Sequence, residues 1–217
     1  ILLFGYNFKS HLRIMFSWRL RHAPMFLRGD SHDLARQSGW KNYAKRMFRT
    51  LLFKRFSGFL AVGQANANYF QNNGVTRTKI HFVPHCVDNQ RFQSAREQAE
   101  NEAGIWRSQL GIPKVSKVIL FAGKFEDKKR PMDLLNAFMV ASQEDGNTRN
   151  PAVLLFVGSG ELEEELRSRA QNMIGNTVFF AAFQNQSQMP KVYASCDLLV
   201  LPSYGSGETW GLSINEA

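Results

Sequence analysis

The sequence predicts an α/β protein built as two doubly wound units, each incomplete, and three observations carry that reading. Short apolar runs closed by Gly, Pro or Ser recur along the chain, as parallel strands buried on both faces require. Helical patterns lie between them, and alternation of strand and helix makes a parallel sheet whose ligand sites sit at the carboxyl ends of its strands. One polar stretch, "QSAREQAENEAG" at 93–104, marks a shift in composition that separates two halves.

In chain order, the opening "ILLFGYNFK" is strand-like, and "APMFLRGDSH" (23–32), "GFLAVGQ" (58–64) and "KIHFVPHCVD" (79–88) each read as a strand running into a loop. Helical stretches separate them, among them "GWKNYAKRMFRTLLFKRF" (39–56), so residues 1–95 form a Rossmann-like unit. Residues 96–106 are expected to be a linker. In the second unit, 107–217, strands are expected in "KVILFAGKF" (117–125), "AVLLFVGSG" (152–160), "NTVFFAAF" (176–183) and "CDLLVLPS" (196–203). The helix at 131–143 opens with Pro131, suited to a first turn, and the helix at 161–173 places its acids at the positive end of the dipole. The candidate ligand loops are therefore 123–131, 158–161, 182–189 and 203–212.

A chain of 217 residues, 44% hydrophobic and 21% charged, is an ordinary globular composition. Its two cysteines, Cys86 and Cys196, fall in no metal-binding or disulfide pattern, so a reduced, cytoplasmic protein without a metal site is expected. No apolar run approaches the roughly 20 residues of a membrane span, and no signal peptide is evident. With no initiator Met, the chain reads as a fragment.

The net charge of +9 is uneven. Residues 1–95 carry 15 Lys and Arg against 3 Asp and no Glu, and residues 96–217 carry 12 against 15. A basic half fits nucleic acid, an anionic membrane, an acidic ligand, or simply a solvated basic helix. Within 39–56, Lys41, Lys45, Arg46, Arg49, Lys54 and Arg55 interleave with Tyr43, Met47, Phe48, Leu51, Leu52 and Phe53, a pattern expected of peripheral contact with an anionic membrane.

The stretch "GETWGLSINEA" (207–217) admits two readings. Ser213 and Glu216 stand in the relation of a capping box. The same helix start also offers the amides of Gly211, Leu212 and Ser213 to a phosphate, with Glu208 and Glu216 flanking it.

The run from 178 to 217, with "FAGKFEDKKRPMDLLNAF", "FVGSGELEEELR" and "VPHCVDNQRF", resembles glycosyltransferase family 4, the retaining glycosyl transferases group 1 of GT-B fold. Glu208 and Glu216 match that family's pair of glutamates separated by seven residues and ending in an "NEA" helix start. The resemblance implies a retaining glycosyltransferase that moves a sugar from a UDP- or GDP-sugar, its substrate rather than a cofactor. The acceptor would be a glycan, a lipid-linked molecule or a small molecule, in cell-surface polysaccharide or glycolipid biosynthesis.

By the same resemblance, Glu208 faces the donor sugar and Glu216 the nucleotide ribose. Lys124, where the family usually has Arg, and Lys129 meet the diphosphate, and Phe183 lies by the base. Arg28 or His32 stands in place of an acceptor-side histidine. No Asp-x-Asp triplet is present, so lysines are expected to take the role of a metal ion. Taken by itself "EDKKR" is also a plain charged turn, and His32, His85 and Cys86 need only packing roles. The alternatives are a nucleotide-sugar epimerase of the same fold, or a basic nucleic-acid-binding module, for which no strand platform of aromatic and basic residues is evident.

Overall fold

Each apolar run of the first half becomes a parallel strand. The computed structural model describes residues 1–33, 40–94, 96–144, 152–204 and 210–217, and the chain divides into two units, Ile1–His85 and Cys86–Ala217. The first contains β1 (Leu2–Phe4), α1 (Lys9–Met15), β2 (Phe26–Gly29), α2 (Trp40–Phe53), β3 (Gly58–Ala61), α3 (Gln64–Asn72) and β4 (Ile80–Phe82).

Its sheet runs β1-β2-β3-β4, all parallel, with Leu3, Leu27, Phe59 and Ile80 in one cross-strand row. Because the strands advance in one direction, right-handed crossovers place all three helices on one face. Met15, Leu52, Phe53, Tyr69 and Phe70 accordingly join Leu27 and Phe59 in a single core. Phe53 sits at its centre, meeting Phe56, Phe59 and Phe70.

The second unit contains α4 (Asn89–Ser94), α5 (Arg96–Gln109), β5 (Lys117–Ala122), α6 (Pro131–Glu144), β6 (Ala152–Val157), α7 (Glu163–Arg169), β7 (Val178–Ala181), α8 (Met189–Ala194), β8 (Leu198–Leu199) and α9 (Leu212–Glu216). Its parallel sheet has the order β7-β6-β5-β8. Alternate residues point to opposite faces. Val118, Leu120, Val153 and Leu155 pack under α8 with Val192 and Tyr193, whereas Phe121, Leu154 and Phe156 pack under α6 and α7 with Leu135, Phe138 and Leu166.

Two boundaries differ from expectation. Residues 96–106 are not a linker but most of α5, and the first unit ends at His85, not at 95. Ala99 and Ala103 are buried, and Phe92 and Trp106 pack against the second core. A stripe this narrow leaves the remaining positions polar, which is why the segment reads as solvated. The strand at 196–203 shortens to β8, and at its start the Asp197 carboxylate, not a ladder carbonyl, accepts from the Val118 amide at 2.8 Å and from Lys117 Nζ at 2.7 Å. Among the described residues no helix is long and apolar enough to cross a membrane.

Candidate functional site

Beyond β5 the chain steps to β6 and β7 on one side and later returns as β8 on the other. That reversal opens a crevice at the carboxyl ends of the strands, where open α/β sheets bind ligands. The loops there are laced together. The Phe125 amide donates to the Ser159 carbonyl at 3.0 Å, the Leu162 amide to the Phe125 carbonyl at 3.0 Å, and the Tyr204 amide to the Lys128 carbonyl at 3.0 Å. Gly158 makes the contact between the first two loops feasible. Its φ is +148°, and a Cβ there would lie 2.0 Å from the Gly123 carbonyl oxygen, far inside any van der Waals distance.

A cavity of about 640 Å³ lies on these loops, bounded by Gly123 and Lys124 after β5, Gly158–Gly160 after β6, Phe183, Gln184 and Gln186 after β7, and Tyr193 and Glu216 from α8 and α9. The Glu216 carboxylate is held at both oxygens. Oε1 accepts from Gln186 Nε2 at 2.8 Å and Oε2 from the Tyr193 hydroxyl at 2.8 Å. Burial, and then the hydrogen bond to Glu216, push the Tyr193 phenol well above its ordinary range, so Tyr193 is a fixed donor at any physiological pH. Arg91 in turn donates to the Gln186 carbonyl, fixing that loop from α4. A carboxylate so oriented can accept hydrogen bonds from vicinal hydroxyls, and the exposed Lys124 of the same cavity can meet an anion.

This arrangement bears on the first of the two readings of the C-terminal stretch. The residue preceding α9 is Gly211, Ser213 lies inside the helix, and no side chain caps the start. The capping box does not form; Glu216 turns toward α8 instead.

Of the sequence-predicted residues, Lys124, Phe183 and Glu216 line the one cavity. Lys129 sits on a 3₁₀ turn, Asp127–Lys129, and does not line it; the neighbouring Lys128 pairs with Glu126 at 3.2 Å. Gly211, Leu212 and Ser213 form the start of α9 and are likewise not among its lining. Glu208 lies outside the described residues. Gln186 and Tyr193 escaped sequence reasoning, since a tyrosine on an apolar helix face signals packing before anything else. Among the described residues, no group of three His, Cys, Asp or Glu is placed to hold a metal ion.

The first unit has its own cavity of about 400 Å³ at the carboxyl ends of β1, β2 and β3, bordered by Tyr6, Arg28, Asp30, Asn66, Tyr69 and His85. Arg28 lines it but is engaged with backbone, donating to the Val83 carbonyl at 2.8 Å and the Pro84 carbonyl at 3.3 Å. It thereby holds the segment that carries His85. His32 does not line this cavity, whereas His85, expected only to pack, does. Asn66 ties the rim, accepting from the Val62 amide and donating to the Ser31 carbonyl. Tyr69 shares a 2.7 Å hydrogen bond with Tyr6, and burial first, then that bond, raises its phenol.

Known proteins agree with this architecture. A D-inositol 3-phosphate glycosyltransferase of Corynebacterium jeikeium is 31% identical over 148 residues, 65% of this chain and 34% of the relative. EpsF of Bacillus subtilis, named as a glycosyltransferase, is 24% identical over 183 residues, 82% of this chain and 45% of the relative. The chain thus spans about a third to a half of the length of these relatives. The crystal structure of Anabaena HepE, in complex with UDP and glucose, aligns over 99% of this chain and 56% of HepE with a TM-score of 0.68 and 18% identity, a likeness of fold that makes the two parallel sheets those of GT-B. The family profile of Glycosyl transferases group 1 matches residues 103–217, more than half of the sequence and all of the Glu216 cavity, and the chain belongs to that family.

Proposed function

We propose that the protein, as a retaining enzyme of glycosyltransferase family 4, transfers a sugar from a nucleotide-diphosphate donor without a metal ion. The acceptor is a hydroxyl of a glycan, a lipid-linked molecule or a small molecule, and the setting is cytoplasmic assembly of cell-surface polysaccharide or glycolipid. One observation carries the reading: the Glu216 carboxylate, clamped by Tyr193 and Gln186, faces the same cavity as Lys124. A ribose diol bound to Glu216 leaves the diphosphate to extend toward the end of β5. UDP or GDP is the nucleotide, with Phe183, largely exposed on the rim, available to cover the base.

As the bond from the anomeric carbon to the diphosphate oxygen breaks, negative charge collects on phosphate. Preorganised cations and amides aimed at that charge supply the largest catalytic effect. Lys124 and Lys129 are the cations, and the amides of Gly211, Leu212 and Ser213 the neutral donors. Glu208 faces the donor sugar, where its charge favours positive character at the anomeric centre. With retention, the acceptor oxygen bonds on the face the diphosphate leaves, and the hydroxyl proton passes to the departing phosphate oxygen. Arg28 or His32 serves the acceptor side.

Calorimetric titration with UDP and with GDP tests donor binding, and mass analysis of the protein incubated with donor and acceptor tests transfer. Nucleotide binding lost in Glu216→Ala, together with an acceptor-dependent product, is expected. Binding unchanged in Glu216→Ala would overturn the assignment, and an altered free sugar formed without acceptor would favour the epimerase.

A further inference from the structure

Among the described residues, helix α2 enters the core at its C-terminal end. Leu52 and Phe53 enter the first core, and Arg49 on the same side donates to Asn73 Oδ1 at 2.8 Å. Around the helix, Trp40, Tyr43, Met47 and Leu51 recur at i, i+3, i+7 and i+11 and so form one stripe. They are 78%, 67%, 53% and 63% exposed, which removes the reading of a core-facing stripe. Lys45 and Arg46, both exposed, lie on the polar side of the helix, Arg46 nearer the stripe and Lys45 farther round.

Helix α1 carries a similar mix of groups. Phe8 and Phe16, at the ends of α1, are exposed beside Lys9 and Arg13, and Arg55 fastens the two helices by donating to the carbonyls of Met15 and Leu20. From Ile1 to His85 the acids are Asp30 and Asp33 alone, and both follow β2 at the carboxyl end of the sheet. The helical layer therefore presents cations and large apolar groups with no acid between them.

We propose that the outer surface of α1 and α2 docks on an anionic lipid bilayer. Trp40, Tyr43, Met47 and Leu51 enter the boundary between headgroups and acyl chains, while Lys45 and Arg46 meet the lipid phosphates. The pattern is that of an interfacial helix, apolar on one side and basic on the other, and Trp and Tyr are the side chains that settle at headgroup level. A second copy of the chain fits worse, because a two-fold interface would bring like charges together. Nucleic acid would use the cations but leave Met47 and Leu51 without a role. The inference stands apart from glycosyl transfer and is tested without activity.

The purified chain is sedimented with vesicles of phosphatidylcholine alone and of phosphatidylcholine mixed with phosphatidylglycerol, at low and high salt. Partitioning should require the anionic lipid and fall with salt. Lys45→Gln with Arg46→Gln should lower it roughly 10- to 30-fold, and Met47→Ser with Leu51→Ser at least about 10-fold. Thermal melts should match the parent, since these side chains are exposed; Tyr43→Ser, farther from the anchored end, provides a second apolar variant. Equal binding to neutral vesicles, or indifference to both double variants, would overturn the proposal. So would dimerisation abolished by the Ser variants without vesicle binding, or RNA binding abolished by the Gln variants alone.

Discussion

The Tyr193 hydroxyl donates to Oε2 of Glu216 at 2.8 Å, although the two residues belong to different helices. The bond turns the carboxylate away from its own helix start and toward the cavity. A buried tyrosine that cannot ionise near neutrality is suited to that task, since its proton always lies on the phenol oxygen. Among the described residues, removing it leaves Glu216 held by the exposed Gln186 alone.

Tyr193→Phe should therefore weaken UDP or GDP binding by roughly 10- to 100-fold, the effect of losing one hydrogen bond to a charged group. Gln186→Ala should cost less, because water can replace an exposed amide. Calorimetry on the two variants gives the comparison; a larger loss in Gln186→Ala would mean that the tyrosine does not orient the carboxylate.

Two glycine substitutions should move stability in opposite directions. Gly158→Ala places a Cβ 2.0 Å from the Gly123 carbonyl oxygen at a φ of +148°, and should cost about 2–3 kcal/mol or more. Gly104→Ala, within α5 and with open space around its Cβ position, should stabilise by about 0.5–1 kcal/mol. Urea denaturation measures both.

The Asp197 carboxyl is held below the usual carboxylate range. Burial opposes ionisation, but the Lys117 ammonium and the Val118 amide outweigh it. The unfolded chain then takes up protons first as pH falls, so this contribution is present above the ordinary carboxylate value and lost on descent through the folded one. Asp197→Asn should lower the melting temperature at pH 7, and the difference from the parent should close as pH falls below the ordinary carboxylate range. A gap independent of pH would show that the side chain matters only for its shape.

If the proposed transfer takes place, its activity should survive a strong chelator. Lys124→Ala should reduce turnover roughly 10²- to 10³-fold, as loss of a preorganised donor does, and Lys124→Arg should retain most of it, since guanidinium also grips phosphate. Steady-state kinetics with and without chelator read both; activity lost on chelation and restored by Mg²⁺ would place the diphosphate on a metal.

The runs at 117–125, 152–160 and 176–183 are legible as strands because both faces of a central parallel strand are buried, and continuous apolarity records that directly. Helix α6 is legible for a similar local reason, beginning at Pro131 where a first turn tolerates it. The segment 96–106 is not, since Ala99 and Ala103 bury too little surface to stand out among glutamates and glutamines.

The site divides along the same line. Lys124, Phe183 and Glu216 can be picked out because each sits in a short motif at a strand end or helix start, where residue type and spacing are properties of the chain itself. Their shared cavity, the clamp of Tyr193 and Gln186 on Glu216, and the engagement of Arg28 with the Val83 and Pro84 carbonyls belong to the folded molecule. Tyr193 and Glu216 stand 23 residues apart and Gln186 and Glu216 30. Only the return of the chain across the sheet, from β7 to β8 beyond β5, brings such distant positions within hydrogen-bonding reach.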